Sequence, residues 1–173
     1  MPNSMIEKLP KCRIKLTLKC DRACSYCINK SIEYRKRWTS IEHLSTIDYK
    51  NYRSFIISGG EPTILGPSVL VDYMVFIRRH TGAPIYLQTN GALLTKSLVK
   101  QLDDYIDAIG YSVHDIDEFI HLLPRLRDIS RIKPIQLYVE DKIRERIGYF
   151  TEFTLRVWTG GEFDPGEKIF VLT

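Results

Sequence analysis

Six short segments with the two-residue period of a β-strand alternate along this chain with helix-period segments, and that alternation most constrains its fold. In the first, Ile14, Leu16 and Leu18 alternate with Arg13, Lys15, Thr17 and Lys19. Further strands are expected over 54–57, 84–87, 106–113, 135–139 and 153–157. Between the first two, Thr39 and Glu42 stand at capping-box spacing and open a short helix carrying Ile41, Leu44 and Ile47. Gly66-Pro67 begins an apolar helix through Leu70, Met74 and Ile77. It closes on Arg78, Arg79 and His80, where cations complement the helix dipole, and stops at Gly82. Thr95 caps the next helix. Asp115 or Asp117 opens another through Ile116, Phe119 and Ile120, which Pro124 is expected to kink or divide. A charged helix over 142–147 precedes the last strand. This order suits a parallel sheet with right-handed crossovers. The 173 residues fall short of the ~250 of a complete eight-stranded α/β barrel. The expected fold class is α/β, a partial (β/α)6 barrel with parallel strands, open and TIM-like. One domain is expected over 1–173, its core over about 12–158 and a C-terminal tail over 159–173.

Ligands of such sheets gather at the carboxyl ends of the strands, and four unusual segments fall there. The first holds Cys20-x3-Cys24-x2-Cys27. Four cysteines, three of them within eight residues, look unlike a disulfide framework and more like a metal-binding cluster. A zinc site or an ordinary iron–sulfur cluster takes four protein ligands, so a trio leaves room either for a cluster with one open iron or for zinc completed by Cys12 or a histidine. Cys12 lies on the far side of the first strand and reads as a small buried residue. The second segment is Gly59-Gly60-Glu61-Pro62, where glycines permit close approach to a ligand and a carbonyl or carboxylate accepts from an ammonium group. An ordinary strand-to-helix turn is the plainer reading. Thr89-Asn90-Gly91 is a rim or simply a turn. Ser112 and His114 close the fourth strand, His114 as a ligand contact or a structural histidine.

Composition narrows the setting. A hydrophobic content of 44% argues for a globular protein, and no apolar run approaches the ~20 residues of a membrane helix. The first residues lack a secretory pattern, so a soluble cytoplasmic protein without a membrane partner is expected. The net charge of +4 is mild. Its local concentration at Arg35, Lys36 and Arg37 reads as a solvated loop or as a contact for an anionic group. Nothing else resembles a nucleic-acid module.

The cysteine spacing after the first strand, Tyr26 just before the third cysteine, the Gly-Gly-Glu-Pro after the second strand and Thr89-Asn90-Gly91 after the third together resemble a radical S-adenosylmethionine (radical SAM) enzyme. The resemblance runs from about Arg13 to Val157. It implies a 4Fe-4S cluster on Cys20, Cys24 and Cys27, with the amino and carboxylate groups of S-adenosylmethionine on the fourth iron. It also implies one-electron cleavage of the sulfonium bond and a 5′-deoxyadenosyl radical that abstracts hydrogen from substrate. Gly59, Gly60, Glu61 and Pro62 would hold the methionine amino group, and Thr89, Asn90, Ser112 and His114 the cofactor rim. Gln136 shares one face of the fifth strand with Tyr138 and Glu140; if that face points inward these residues meet cofactor or substrate, otherwise they are salt-bridged or solvated, and the backbone at Val157 would be an adenine edge as in relatives. The glycine signature many relatives carry on the fifth strand is missing here. An external one-electron reductant such as flavodoxin or ferredoxin is implied, and a homodimer is left open.

No second cysteine cluster is present for auxiliary centres. Three substrate classes remain: a nucleotide or other small molecule, a glycyl-radical enzyme awaiting activation, and a peptide or protein side chain. A reading of a different class is a non-catalytic iron–sulfur or zinc sensor.

Overall fold

The structure is a computed structural model that describes residues 9–25, 27–158 and 166–173. Eight strands, β1 (Lys11–Lys15), β2 (Trp38–Ile41), β3 (Ser54–Ser58), β4 (Ile85–Thr89), β5 (Ala108–Val113), β6 (Ile135–Glu140), β7 (Thr154–Trp158) and β8 (Lys168–Leu172), form one sheet. Their order is β2-β8-β1-β3-β4-β5-β6-β7, and every neighbouring pair is parallel. β2 and β7 stand at the two edges, so the sheet is open. The helices are α1 (Ile32–Arg35), α2 (Pro67–His80), α3 (Lys96–Leu102), α4 (Ile116–Ser130) and α5 (Asp141–Ile147).

The strand period divides the residues between two environments. Cys12, Ile14, Phe55, Ile57, Ile85, Leu87, Ile109 and Tyr111 point outward and are buried with Leu70, Met74 and Ile77 of α2, Val99 and Leu102 of α3, and Phe119, Leu126 and Ile129 of α4. Removing each large side chain from water contributes about 1.5–3 kcal/mol. The alternate residues Arg13, Lys15, Ile56, Ser58, Gln88, Ser112 and Tyr138 face a cavity instead. The polar positions of β1 are therefore the inside of the partial barrel, where an exposed strand face would have been the simpler assumption.

Local chemistry explains the helix ends. Thr95 accepts from the Leu98 amide at 3.2 Å, and Asp115 Oδ1 accepts from the Asp117 and Glu118 amides at 2.9 Å each. Pro67 occupies the first turn of α2, where its missing N–H costs nothing. Pro124 does not divide α4, which runs unbroken past it. The carbonyl that loses its donor is that of Ile120, on the exposed side of the helix, where water serves as well.

Other expectations are corrected as well. Two strands, β2 and β8, join the six. Thr39 begins no helix: it sits in β2, and residues after it form only 3-10 turns, Leu44–Thr46 and Tyr49–Asn51. Ile41, Leu44 and Ile47 are nonetheless buried, because an irregular segment can meet the same core as a helix face. Part of the expected tail is β8, an apolar run inserted between β1 and β2, where it pairs with partners far away in the chain. The first strand also lies earlier than its alternation indicates, and Leu18 is exposed. Among the described residues no helix is long and apolar enough to cross a membrane.

Candidate functional site

A cavity of about 360 Å³ opens at the carboxyl ends of the strands. Cys20, Cys24 and Cys27 all line it as free thiols, the first exposed and the others half-buried. Their loop folds back on itself: the Cys27 amide donates to the Cys24 carbonyl at 3.3 Å and Lys30 Nζ to the same oxygen at 2.7 Å. It is also tied to the sheet. Asn90 Nδ2 donates to Asp21 Oδ1 at 2.8 Å, and Arg22 Nη2 to the Asn90 carbonyl at 3.2 Å. Arg22 further forms a two-pronged ion pair with Glu118 on α4, one prong at 2.9 Å. Partial burial raises the Cys20 thiol pKa, although the Arg22 amide donating to its sulfur at 3.4 Å lowers it. Cys12 lies fully buried on the outer face of β1, where it cannot join the trio.

The Gly-Gly-Glu-Pro segment lies against the strand that leads to the cysteines. The Gly60 amide donates to the Thr17 carbonyl at 2.7 Å and the Glu61 amide to that of Lys19 at 2.8 Å. A Cβ at Gly59 would strike the Thr17 carbonyl and one at Gly60 the Lys19 carbonyl, so only glycine lets the two backbones meet. Glu61 departs from its expected role. Its carboxylate, 1% exposed, is turned into the protein. Oε1 accepts from the Thr63 amide at 3.0 Å, the Thr63 hydroxyl at 2.6 Å and the Thr89 hydroxyl at 2.8 Å, while Oε2 accepts from the Asn90 amide at 2.7 Å. The side chain thus joins the ends of β3 and β4, and an ammonium ligand is left the backbone carbonyls. Pro62 is buried at the start of the following 3-10 turn.

Thr89 and Asn90 are consumed in the same way: Thr89 also accepts from the Gly91 amide at 3.0 Å, and Asn90 Oδ1 accepts from the Ala92 amide at 2.9 Å. Thr89 and Asn90 nonetheless line the cavity, as do Gly59, Gly60, Glu61, Ser112, His114 and Val157. Burial lowers the His114 pKa, opposed by the charge of Glu140. Gln136 sits lower on β6 and receives the Tyr138 hydroxyl at 3.3 Å, away from the cavity lining. Tyr26 lies outside the described residues, as does 159–165 of the tail. Of the basic run, Lys36 pairs with Glu33 in solvent, whereas Arg37 reaches inward to the Glu167 carbonyl at 3.1 Å.

Below the rim, sequence reasoning missed a charged interior. Arg13 donates to both oxygens of Glu167 at 3.1 Å each and to Gln88 Oε1 at 2.7 Å. Lys15, 2% exposed, donates to Asn29 Oδ1 at 2.6 Å. Asn29 in turn donates to the Gly59 carbonyl at 2.8 Å. The Lys15 ammonium stands 5.1 Å from the Tyr34 ring centre and 5.2 Å from that of Trp38. Burial, then Arg13, push the Lys15 pKa down to about 7. The signal for Arg13 and Lys15 was their alternation in a strand on which the sheet curls; for Glu167, just before the last strand, there was none.

These elements define an open parallel α/β barrel segment with a thiol-bearing rim. The chain belongs to the radical SAM superfamily, whose family pattern matches residues 14–140. That superfamily consists of enzymes, and membership implies S-adenosylmethionine and a 4Fe-4S cluster. A S-adenosylmethionine-dependent nucleotide dehydratase of a Thermoplasmatales archaeon (strain ISO4-H5) is 24% identical over 115 residues, covering 65% of this chain and 41% of that protein. A putative glycyl-radical enzyme activating enzyme of Methanocaldococcus jannaschii is 28% identical over 92 residues, covering 50% and 38%. Among solved structures, native anSMEcpe with bound AdoMet and Cp18Cys peptide shares the fold with a TM-score of 0.59 and 20% identity, over 88% of this chain and 52% of that one. This chain spans about half or less of each of these proteins.

The residues fit the implied group in donor chemistry, since three free thiols share one cavity with the Gly59–Glu61 backbone, and thiolates suit iron–sulfur clusters. Among the described residues, no three Cys, His, Asp or Glu side chains converge as around a single metal ion.

Proposed function

We propose that this chain is the catalytic core of a radical SAM enzyme that acts on a nucleotide or other small molecule. Cys20, Cys24 and Cys27 would hold the 4Fe-4S cluster. The backbone of Gly59, Gly60 and Glu61 would receive the methionine ammonium, and Ser112, His114 and Val157 would border the rest of S-adenosylmethionine. When bound, the cluster and S-adenosylmethionine supply reductive cleavage of the sulfonium bond and hydrogen abstraction from substrate. The protein's own part is to orient and to exclude water. Glu61 pins two strand ends together, Asp21 and Arg22 hold the cysteine loop against them, and the barrel interior offers a polar chamber for the substrate.

The observation that carries this reading is that the three free thiols and the Gly-Gly-Glu segment line one cavity at the carboxyl ends of the strands. The nucleotide dehydratase resemblance supports a small-molecule substrate. A second reading, activation of a glycyl-radical enzyme, is supported by the archaeal activating-enzyme resemblance and by the open sheet, which would admit a protein loop. The test is anaerobic reconstitution with iron and sulfide, followed by dithionite and S-adenosylmethionine. Formation of 5′-deoxyadenosine is expected; full iron incorporation without it defeats the enzyme reading. Cys24→Ala is expected to lose both iron and cleavage, and normal iron content in that variant defeats the ligand assignment.

A further inference from the structure

Lys15 breaks a rule that buried charges otherwise obey. At 2% exposure it makes no ion pair among the described residues. An ammonium removed from water without a hydrogen-bonded counter-ion is costly, and two aromatic faces offset only part of that cost. One amide oxygen, that of Asn29, accepts from it, while an ammonium carries three donors. Beside it, in register on β3, stands Ser58. Its hydroxyl is buried, faces the same cavity and has no hydrogen-bond partner. Arg13, two residues earlier on the same inward face, is balanced by Glu167 and leaves these two groups as the unmet ones. Proteins tolerate such unmet polar groups mainly where a ligand meets them.

We infer that Lys15 and Ser58 form a subsite on the inner wall of the barrel for an anionic oxygen group of the substrate, a phosphate or a carboxylate. The inference rests on the proposed function, because it names the substrate class of that same cavity. Lys15 supplies a charge-assisted donor and Ser58 a neutral one, a set that offers little to a cationic or apolar group. Asn29 fixes the direction of the ammonium and, by also holding the Gly59 carbonyl, sets the subsite's position relative to the cofactor rim. The anion would thereby anchor the substrate beneath the rim, leaving its neutral part to face the reacting centre.

The test uses the protein reconstituted anaerobically with iron and sulfide and saturated with S-adenosylmethionine, titrated calorimetrically with inorganic phosphate and, separately, with acetate. Saturable binding of one of them is expected: phosphate marks a phosphate ester and acetate a carboxylate. Lys15→Met is expected to weaken that binding at least tenfold and Ser58→Ala about threefold. Lys36→Met, a change at an exposed lysine, should leave it unaltered. Lys15→Gln, whose amide can still donate to Asn29, stands in if the methionine variant fails to fold, with the same tenfold loss expected. The inference is overturned if neither anion saturates the wild-type protein, or if the Lys15 variants bind as tightly as wild type. It is equally overturned if they shift only the cluster's reduction potential, which would make Lys15 a counter-charge to the metal group. Iron content and 5′-deoxyadenosine formation, followed in the same samples, separate the two failures. Cleavage without anion binding sinks the inference alone; full iron without cleavage sinks the proposed function.

Discussion

Replacing Glu61 by glutamine preserves the shape of the side chain and removes its charge, which makes it the most informative perturbation of the rim. The wild-type carboxylate accepts four hydrogen bonds while 1% exposed. Glutamine keeps Oε1 for Thr63 and Thr89 but turns an NH₂ group toward the Asn90 amide, setting donor against donor. One hydrogen bond to a charged group is lost, about 1.5–3 kcal/mol, and the remaining three become weaker neutral bonds. A total of about 2–4 kcal/mol follows, a large part of the 5–15 kcal/mol typical of a domain. Urea unfolding of the reduced, metal-free protein measures it. With a slope of about 1–3 kcal/mol/M, the midpoint should fall by roughly 1 M or more at unchanged slope. Glu61→Ala, which strands all four donors, should fall further. Thr89→Val, which loses the bond to Oε1 and strands the Gly91 amide, should cost about 1–3 kcal/mol alone and less in the Glu61→Ala background, where the bond to Oε1 is already gone. If Glu61→Gln unfolds at the wild-type midpoint while S-adenosylmethionine affinity drops, the carboxylate is a ligand group and the tie between β3 and β4 is not what holds the rim.

Alkylation of the metal-free protein with iodoacetamide, read by peptide mass spectrometry, should label Cys20, Cys24 and Cys27 and spare Cys12, whose thiol pKa is pushed far up by burial; labelling of native Cys12 would contradict its position on the outer face. Gly60→Ala should cost about 1–3 kcal/mol, because the new methyl group meets backbone carbonyls that cannot step aside as a side chain would, and an unchanged urea midpoint would refute that close approach. Glu167→Ala leaves Arg13 without its carboxylate in the barrel interior and should cost about 3–5 kcal/mol in the same assay, whereas loss of less than 1 kcal/mol would show that water reaches the guanidinium freely.

The strand ends were legible because they depend on short-range chemistry. Glycines at 59 and 60, thiols at 20, 24 and 27 and a turn at 89–91 announce themselves within a few residues. The role of Glu61 was not legible. Whether a carboxylate faces a ligand or a neighbouring strand end depends on Thr89 and Asn90, about thirty residues away, being brought beside it. Asp21 and Arg22 stood within the cysteine loop in plain view, yet their partners Asn90 and Glu118 lie on other elements. β2 failed as a prediction because four residues carry too little periodicity to choose between strand and helix, and a chance Thr–Glu spacing favoured the wrong one.

By itself, the sequence determined the α/β class, the succession of strands that places the distinctive segments on one rim, and the thiol trio, since hydrophobic period and motif spacing are properties of neighbours in the chain. Tertiary structure alone decided which face of β1 is interior, and so turned Arg13 and Lys15 from surface charges into the wall of a cavity. It also brought β8 from the end of the chain to β1, carrying Glu167 to Arg13. The physical reason is the same in both cases. Alternation tells which residues share a face, but only the packing around the folded sheet tells whether that face meets water, helices or a ligand.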